Sequence, residues 1–263
     1  MMRRRGFTLV EALLAIVLLA IVGQSILRLL TATQRLFRTQ NEQAALQAAL
    51  RAGAALVPAE LRELGPGDLV SMAPDQIVYR ATRSTAVACA VTPASVTLPR
   101  ELVYGYRSAS AGRDSLLLFV EHDPSRSADD SWAALPVTGP AGTGSCPDGR
   151  TAVVIPTDIP AETLDSVILD APVRSFEVVQ LRLYQSGGRY WLGSRSVSGG
   201  ESQVQPLLGP LAPDGLRLRF LDAGGLPASA PAAVRLVGLT VRGVTAGAIA
   251  ESLAADIELR NAQ

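Results

Sequence analysis

Hydrophobic and polar positions divide the chain into three stretches. Residues 7–30 are almost uniformly apolar: 18 of these 24 residues are hydrophobic, and Ala12 to Val22 is unbroken. Residues 31–64 change to a helical alternation in Ala, Leu, Gln, Arg and Glu, all good helix formers. Leu46, Leu50, Gly53, Val57, Leu61 and Leu64 fall on one helical face, while Gln43, Gln47, Arg51 and Arg62 lie elsewhere. Pro58 should kink this helix or end its first segment, and Gly65-Pro66-Gly67 should stop it. From residue 68 the period changes to that of strands. Alternating runs at Gln76–Ala81, Glu101–Arg107, Ser115–Glu121, Phe176–Tyr184, Tyr190–Val197, Leu216–Leu221, Val234–Arg242 and Leu253–Arg260 predict a β-rich, antiparallel region. Ser186-Gly187-Gly188 predicts a hairpin turn, and the Ser, Asp, Gly and Pro of residues 123–150 predict a long surface loop.

As a helix, residues 7–30 reach roughly 36 Å, enough to cross a hydrocarbon core of about 30 Å. Before them stands Met1-Met2-Arg3-Arg4-Arg5-Gly6, whose arginines stay on the cytoplasmic side by the positive-inside rule. The remainder is then exported. A secretory signal would show a small-residue cleavage site after the apolar run, and none follows. A plain signal anchor accounts for everything but Glu11. A carboxylate inside an apolar span is expensive and needs a partner. A cut after Gly6 would supply one, because Phe7 would carry a new α-amine one turn away, in the same chain or in a neighbour.

The run Arg3-Arg4-Arg5-Gly6-Phe7-Thr8-Leu9-Val10-Glu11 resembles the processing site of type IV prepilins and type II secretion pseudopilins. The resemblance covers roughly the first 30 residues. It implies a leader ending at Gly6, cleavage by a prepilin peptidase that also methylates Phe7, and an assembly role for Glu11. It implies an α+β fold: a long N-terminal helix, half transmembrane and half amphipathic, packed on an antiparallel β-rich globular domain. The expected organisation is a leader at 1–6, a membrane helix at 7–30, its amphipathic continuation at 31–64 and an exported domain at 68–263. The order of elements beyond residue 176 is similar to minor pseudopilin J of type II secretion and minor pilin W of type IV pili. Glu11 speaks against minor pseudopilin K, which typically lacks that glutamate. The resemblance therefore implies a structural subunit of a pilus-like filament, with other pilin or pseudopilin subunits as its partners. It places the chain in the bacterial inner membrane, single-pass, with its domain in the periplasm. The alternatives are a DNA-uptake minor pilin and a membrane-anchored exported enzyme.

Composition narrows the chemistry. All 24 basic residues are arginine, which excludes lysine-dependent phosphate loops and Schiff-base chemistry. Basic and acidic residues balance at 24 each, unlike a general nucleic-acid binder. Loss of Arg3, Arg4 and Arg5 with the leader would leave 21 basic against 24 acidic side chains. Cys89 and Cys146 favour a disulfide in an exported domain, against a free buried Cys89 with an exposed Cys146. His122 beside Asp123 reads as a surface turn, since no second histidine or serine elbow accompanies it. Gly139 to Gly144 mimics a phosphate loop without its lysine and reads as flexible loop. Asp123, Asp129 and Asp130 lack calcium-loop spacing, so calcium is only a weak expectation, and no cofactor or metal site is expected. Arg80, Arg83, Arg107, Arg113, Arg182 and Arg189 are interspersed with acids and read as a solvated mixed surface.

Overall fold

The computed structural model describes residues 9–123, 125, 126, 130–245 and 250–260. Helix α1 is Leu9–Arg62. The strands that follow are β1 (Leu69–Ala73), β2 (Gln76–Val87), β3 (Ala90–Thr92), β4 (Ser95–Pro99), β5 (Tyr104–Gly105), β6 (Asp114–Val120) and β7 (Ser131–Pro136). They continue with β8 (Gly142–Ser145) and β9 (Thr151–Pro156), the one-turn helix α2 (Ala161–Leu164), then β10 (Pro172–Ser186) and β11 (Arg189–Ser196). β12 (Gln205–Leu221), β13 (Leu236–Val244) and β14 (Ala250–Glu258) complete the order. The architecture is α+β, with a long helix on an antiparallel β-rich domain.

Among the described residues ten strands form one sheet: seven run in the order β1-β2-β10-β11-β12-β13-β14, β5 pairs with β2, and β6 pairs with β10 and with β7; β3-β4-β9-β8 form a second sheet of four. Strand β10 organises the large sheet. Its alternation puts Val173, Ser175, Glu177, Val179 and Leu181 inward. β2 runs along one edge of β10 for its whole length. The other edge is shared end to end, with β6 against residues 173–177 and β11 against residues 179–186. The sheet therefore forks beside Glu177. Gly187 and Gly188 both have positive φ (57° and 73°), which a two-residue hairpin turn between β10 and β11 requires.

The apolar stripe of α1 covers the inner face of the large sheet. Leu46, Leu50, Val57, Leu61 and Leu64 share one core with Ile77, Tyr79, Val179, Leu192 and Leu239. Two glycines allow the close approach. A Cβ on Gly53 of the helix would strike Leu208 of β12, and a Cβ on Gly243 of β13 would strike Leu46. A second core joins Val96, Leu98 and Ile155 of the small sheet to Leu116, Leu118 and Val173 of the large one.

α1 continues through Pro58 to Arg62, close to the expected stop at Gly65, because Val57, Pro58 and Leu61 are all buried against the sheet and packing outweighs one lost hydrogen bond. Three sequence expectations need correction. Glu101–Arg107 is not a strand. Arg100–Leu102 forms a 3-10 turn, and only Tyr104–Gly105 pairs, with β2. The expected loop at 123–150 contains β7 and β8. The second half of the glycine run expected to be flexible lies in β8, where a Cβ on Gly144 would come within 2.7 Å of Val154, so position 144 favours glycine for space.

Candidate functional site

At about 1.5 Å per residue, the 54 residues of α1 make a rod of roughly 80 Å. Its first buried residue is Leu46, and none of residues 9–45 is buried. Leu13, Leu14, Ile16, Val17, Leu18 and Ile21 are all more than half exposed. This segment is long and apolar enough to span a bilayer. Glu11 lies in the first turn of the described helix. Gly6 and Phe7, the expected cleavage and methylation positions, lie outside the described residues.

At the other end, α1 is anchored by charge as well as by apolar packing. Glu177, the one ionisable residue on the inward row of β10, is 1% exposed. Its carboxylate accepts from Arg83 Nε at 2.9 Å, Arg107 Nη2 at 2.9 Å and Arg113 Nε at 2.6 Å. The three arginines branch outward. Arg83 reaches Glu60 of α1 at 3.4 Å, Arg107 forms a fork on Asp114, and Arg113 reaches Glu201 at 3.4 Å. The network thus ties α1, β2, β6, β10 and the segment after β11 together at the fork of the sheet. Burial works against charge on Glu177, but hydrogen bonds from Ser196 and the three arginines outweigh it and hold the carboxyl at about 2. The hydrogen bond to Asp114 raises Arg107 further above its ordinary value. Burial, with the Glu60 carboxylate adding to it, pushes the Tyr79 phenol well above 10.

Arg83, Arg107 and Arg113 are therefore not part of a solvated mixed surface, which corrects the sequence reading. The signal that was present is the inward position of Glu177 in an otherwise apolar and small-residue row. A buried carboxylate requires cationic partners. Which arginines answer it was not legible, because they lie far from Glu177 in the chain, Arg83 in β2 and Arg107 and Arg113 in the connection between β5 and β6.

Cys89 and Cys146 form a disulfide with a Cα–Cα distance of 5.7 Å, joining the turn after β2 to the end of β8. The half-cystines pack with Ala152 in a small core of their own. His122 is exposed. Asp123 accepts from Ser125 and faces Arg126 at 3.7 Å, and Asp129 lies outside the described residues. Among the described residues, no three His, Cys, Asp or Glu side chains are grouped as metal ligands.

Residues 1–23 match the family model described as the prokaryotic N-terminal methylation motif. No curated protein and no solved structure matches the chain. The motif, continuous with a long N-terminal apolar helix, supports a type IV pilin-like protein.

Proposed function

We propose that this pilin-like chain is a minor pilin or pseudopilin, a structural subunit of a type IV pilus-like or type II secretion filament and not an enzyme. The observation that carries the reading is the methylation motif at residues 1–23 leading into a helix in which none of residues 9–45 is buried. Such a surface needs a bilayer first and neighbouring subunits afterwards. The leader arginines hold the N-terminus in the cytoplasm while the domain crosses the inner membrane to the periplasm. A prepilin peptidase cuts between Gly6 and Phe7 and methylates Phe7. Glu11 then pairs with the Phe7 amine of a neighbour, or with its own chain's amine while it waits in the membrane. Any axial shift would leave a carboxylate in low dielectric without its partner, so the pair sets the stagger. The domain, tied to the helix by the Glu177 network, is displayed near the filament tip among other minor subunits. No cofactor takes part. The Cys89–Cys146 disulfide suits an oxidising compartment.

Mass spectrometry of the chain purified from its native membrane tests this reading. The expected N-terminus is a methylated Phe7, and a chain still beginning at Met1 or Met2 would overturn it.

A further inference from the structure

Between Ala12 and Asn41 the only charged residues are Arg28, Arg35 and Arg38. All three are exposed on α1, and among the described residues their guanidinium groups have no ion-pair or hydrogen-bond partner. At about 100° per residue they fall within an arc of about 80°, with Ile26, Leu30 and Phe37 on the opposite side of the helix. The domain does not cover this row. Every residue from Gln24 to Glu42 is exposed, and Arg189 of the domain lines a small cleft with the helix only from Glu42 onward. Residues 31–41 thus form a bare stalk of about 16 Å between the apolar span and the domain.

The placement runs against topology. Basic residues favour the cytoplasmic side of a span, yet three stand on the exported side, as many as the leader carries in Arg3, Arg4 and Arg5. Loss of the leader would leave only the exported-side arginines flanking the span. Cations kept there need anions at that depth. With residues 7–30 as an untilted span, its midpoint falls between residues 18 and 19. The backbone of Arg28 then lies about 14 Å from the bilayer centre, that of Arg35 about 25 Å and that of Arg38 about 29 Å. Lipid phosphates lie between the hydrocarbon edge, at about 15 Å, and the outer limit of the headgroups, at roughly 20–22 Å. Helical side chains lean toward the N-terminus, so Arg35 and Arg38 reach back to that layer, while the stem of Arg28 snorkels outward to it.

We propose that Arg28, Arg35 and Arg38 bind the phosphates of anionic phospholipids in the periplasmic leaflet. A guanidinium fork matches two phosphate oxygens. The opposite, apolar side, with Ile26, Leu30 and Phe37, stays free to face neighbouring helices. Glu42 lies on the arginine side, but about 6 Å beyond Arg38 along the axis, where it lines the cleft with Arg189. The proposal rests on the reading of the chain as a membrane-inserted subunit.

The test is native mass spectrometry of the full mature chain, purified from its native membrane in detergent and titrated with phosphatidylglycerol or phosphatidylcholine. Each arginine near the surface is worth about fivefold, so the wild type should prefer phosphatidylglycerol by about a hundredfold. The combined variant Arg28→Gln, Arg35→Gln, Arg38→Gln should bind the two lipids alike. Arg189→Gln should keep the full preference, because that arginine stands beyond the headgroups. Three results would overturn the proposal: no preference in the wild type, which is what pairing with acids of a neighbouring subunit predicts; a preference that survives the triple variant; or an equal loss in Arg189→Gln. The same spectra report the loss of the leader and the methylation of Phe7. A processed chain without the lipid preference overturns the arginine row alone, whereas an unprocessed chain overturns the subunit reading.

Discussion

Arg83 Nε reaches the buried Glu177 carboxylate at 2.9 Å because β2 carries one residue more than β10 at that point. Ser175 pairs with Ser84 and Phe176 with Thr82, so Arg83 is the extra residue of a bulge. A bulge frees a side chain from the strict alternation of the strand. Here it turns an arginine toward a carboxylate on the inner face and, through Glu60, toward the helix. Replacing Glu177 with Gln removes the charge and leaves three guanidiniums facing one another. The expected cost is about 3 kcal/mol in urea unfolding of the full chain in detergent micelles. A cost below half a kcal/mol would show that the network adds nothing to stability.

The same carboxylate sets a pH dependence. Glu177 titrates at about 2 in the folded chain against an ordinary 4.5. A depressed folded value means that its stabilisation is fully present above pH 4.5 and is lost as pH falls from 4.5 toward 2. The full contribution corresponds to about 3 kcal/mol. The stability gap between the wild type and Glu177→Gln should stay constant from pH 7 to 5 and close below pH 4.5. A gap that persists at pH 2.5 would contradict this assignment.

What the sequence made legible is what repeats. The apolar stripe from Leu46 to Leu64 is a period, and it lies buried where that period puts it. β6, β10 and β11 lie within a few residues of the expected runs, whereas β12 begins at Gln205, well before the expected Leu216. β7 and β8 escaped because their composition imitates a loop. Gly144 is glycine for lack of space against Val154, and not for flexibility. The partners of Glu177 escaped for a different reason: a bulge and three long-range contacts have no local pattern. The N-terminal motif was legible because it is a contiguous run of sequence, which residues 1–23 match as a whole.

Gly243 and Leu46 offer a test of how the helix is seated. A Cβ at position 243 would occupy the space of the Leu46 side chain, with Leu50 Cδ2 only 3.4 Å away. Gly243→Ala should cost about 1–3 kcal/mol by overpacking. Leu46→Ala alone should cost about 2–3 kcal/mol through the cavity it leaves. The double variant should be less destabilised than the sum of the two, because the new methyl enters the vacated space. Thermal unfolding of all four chains decides it, and strict additivity would mean that the two positions do not meet.

The Cys89–Cys146 bond spans 57 residues of chain, including β3 to β8. Closing a loop of that length in the unfolded state is worth about 4 kcal/mol on the chain-entropy estimate. The double variant Cys89→Ser, Cys146→Ser should lower stability by that order in urea. Adding a reductant should destabilise the wild type and leave the double variant unchanged. Equal sensitivity of both to reductant would exclude the bond as the cause.

On the proposed reading Glu11 is a carboxylate inside the membrane span. It lies in the first described turn of α1, four residues after Phe7, the expected new terminus. If it serves register, removal should spare processing and damage assembly. Glu11→Val should still yield a mature chain beginning at Phe7, since the peptidase reads Gly6 and its surroundings. Incorporation into filaments should fall about tenfold or more, as expected when a charge pair in low dielectric loses one member. Gly6→Ala should show the opposite division, with slowed processing and an unassembled precursor in the membrane. Immunoblots of membrane and sheared-filament fractions separate the two outcomes. Wild-type incorporation of Glu11→Val would remove the register role and leave that carboxylate as a residue that merely tolerates the membrane boundary.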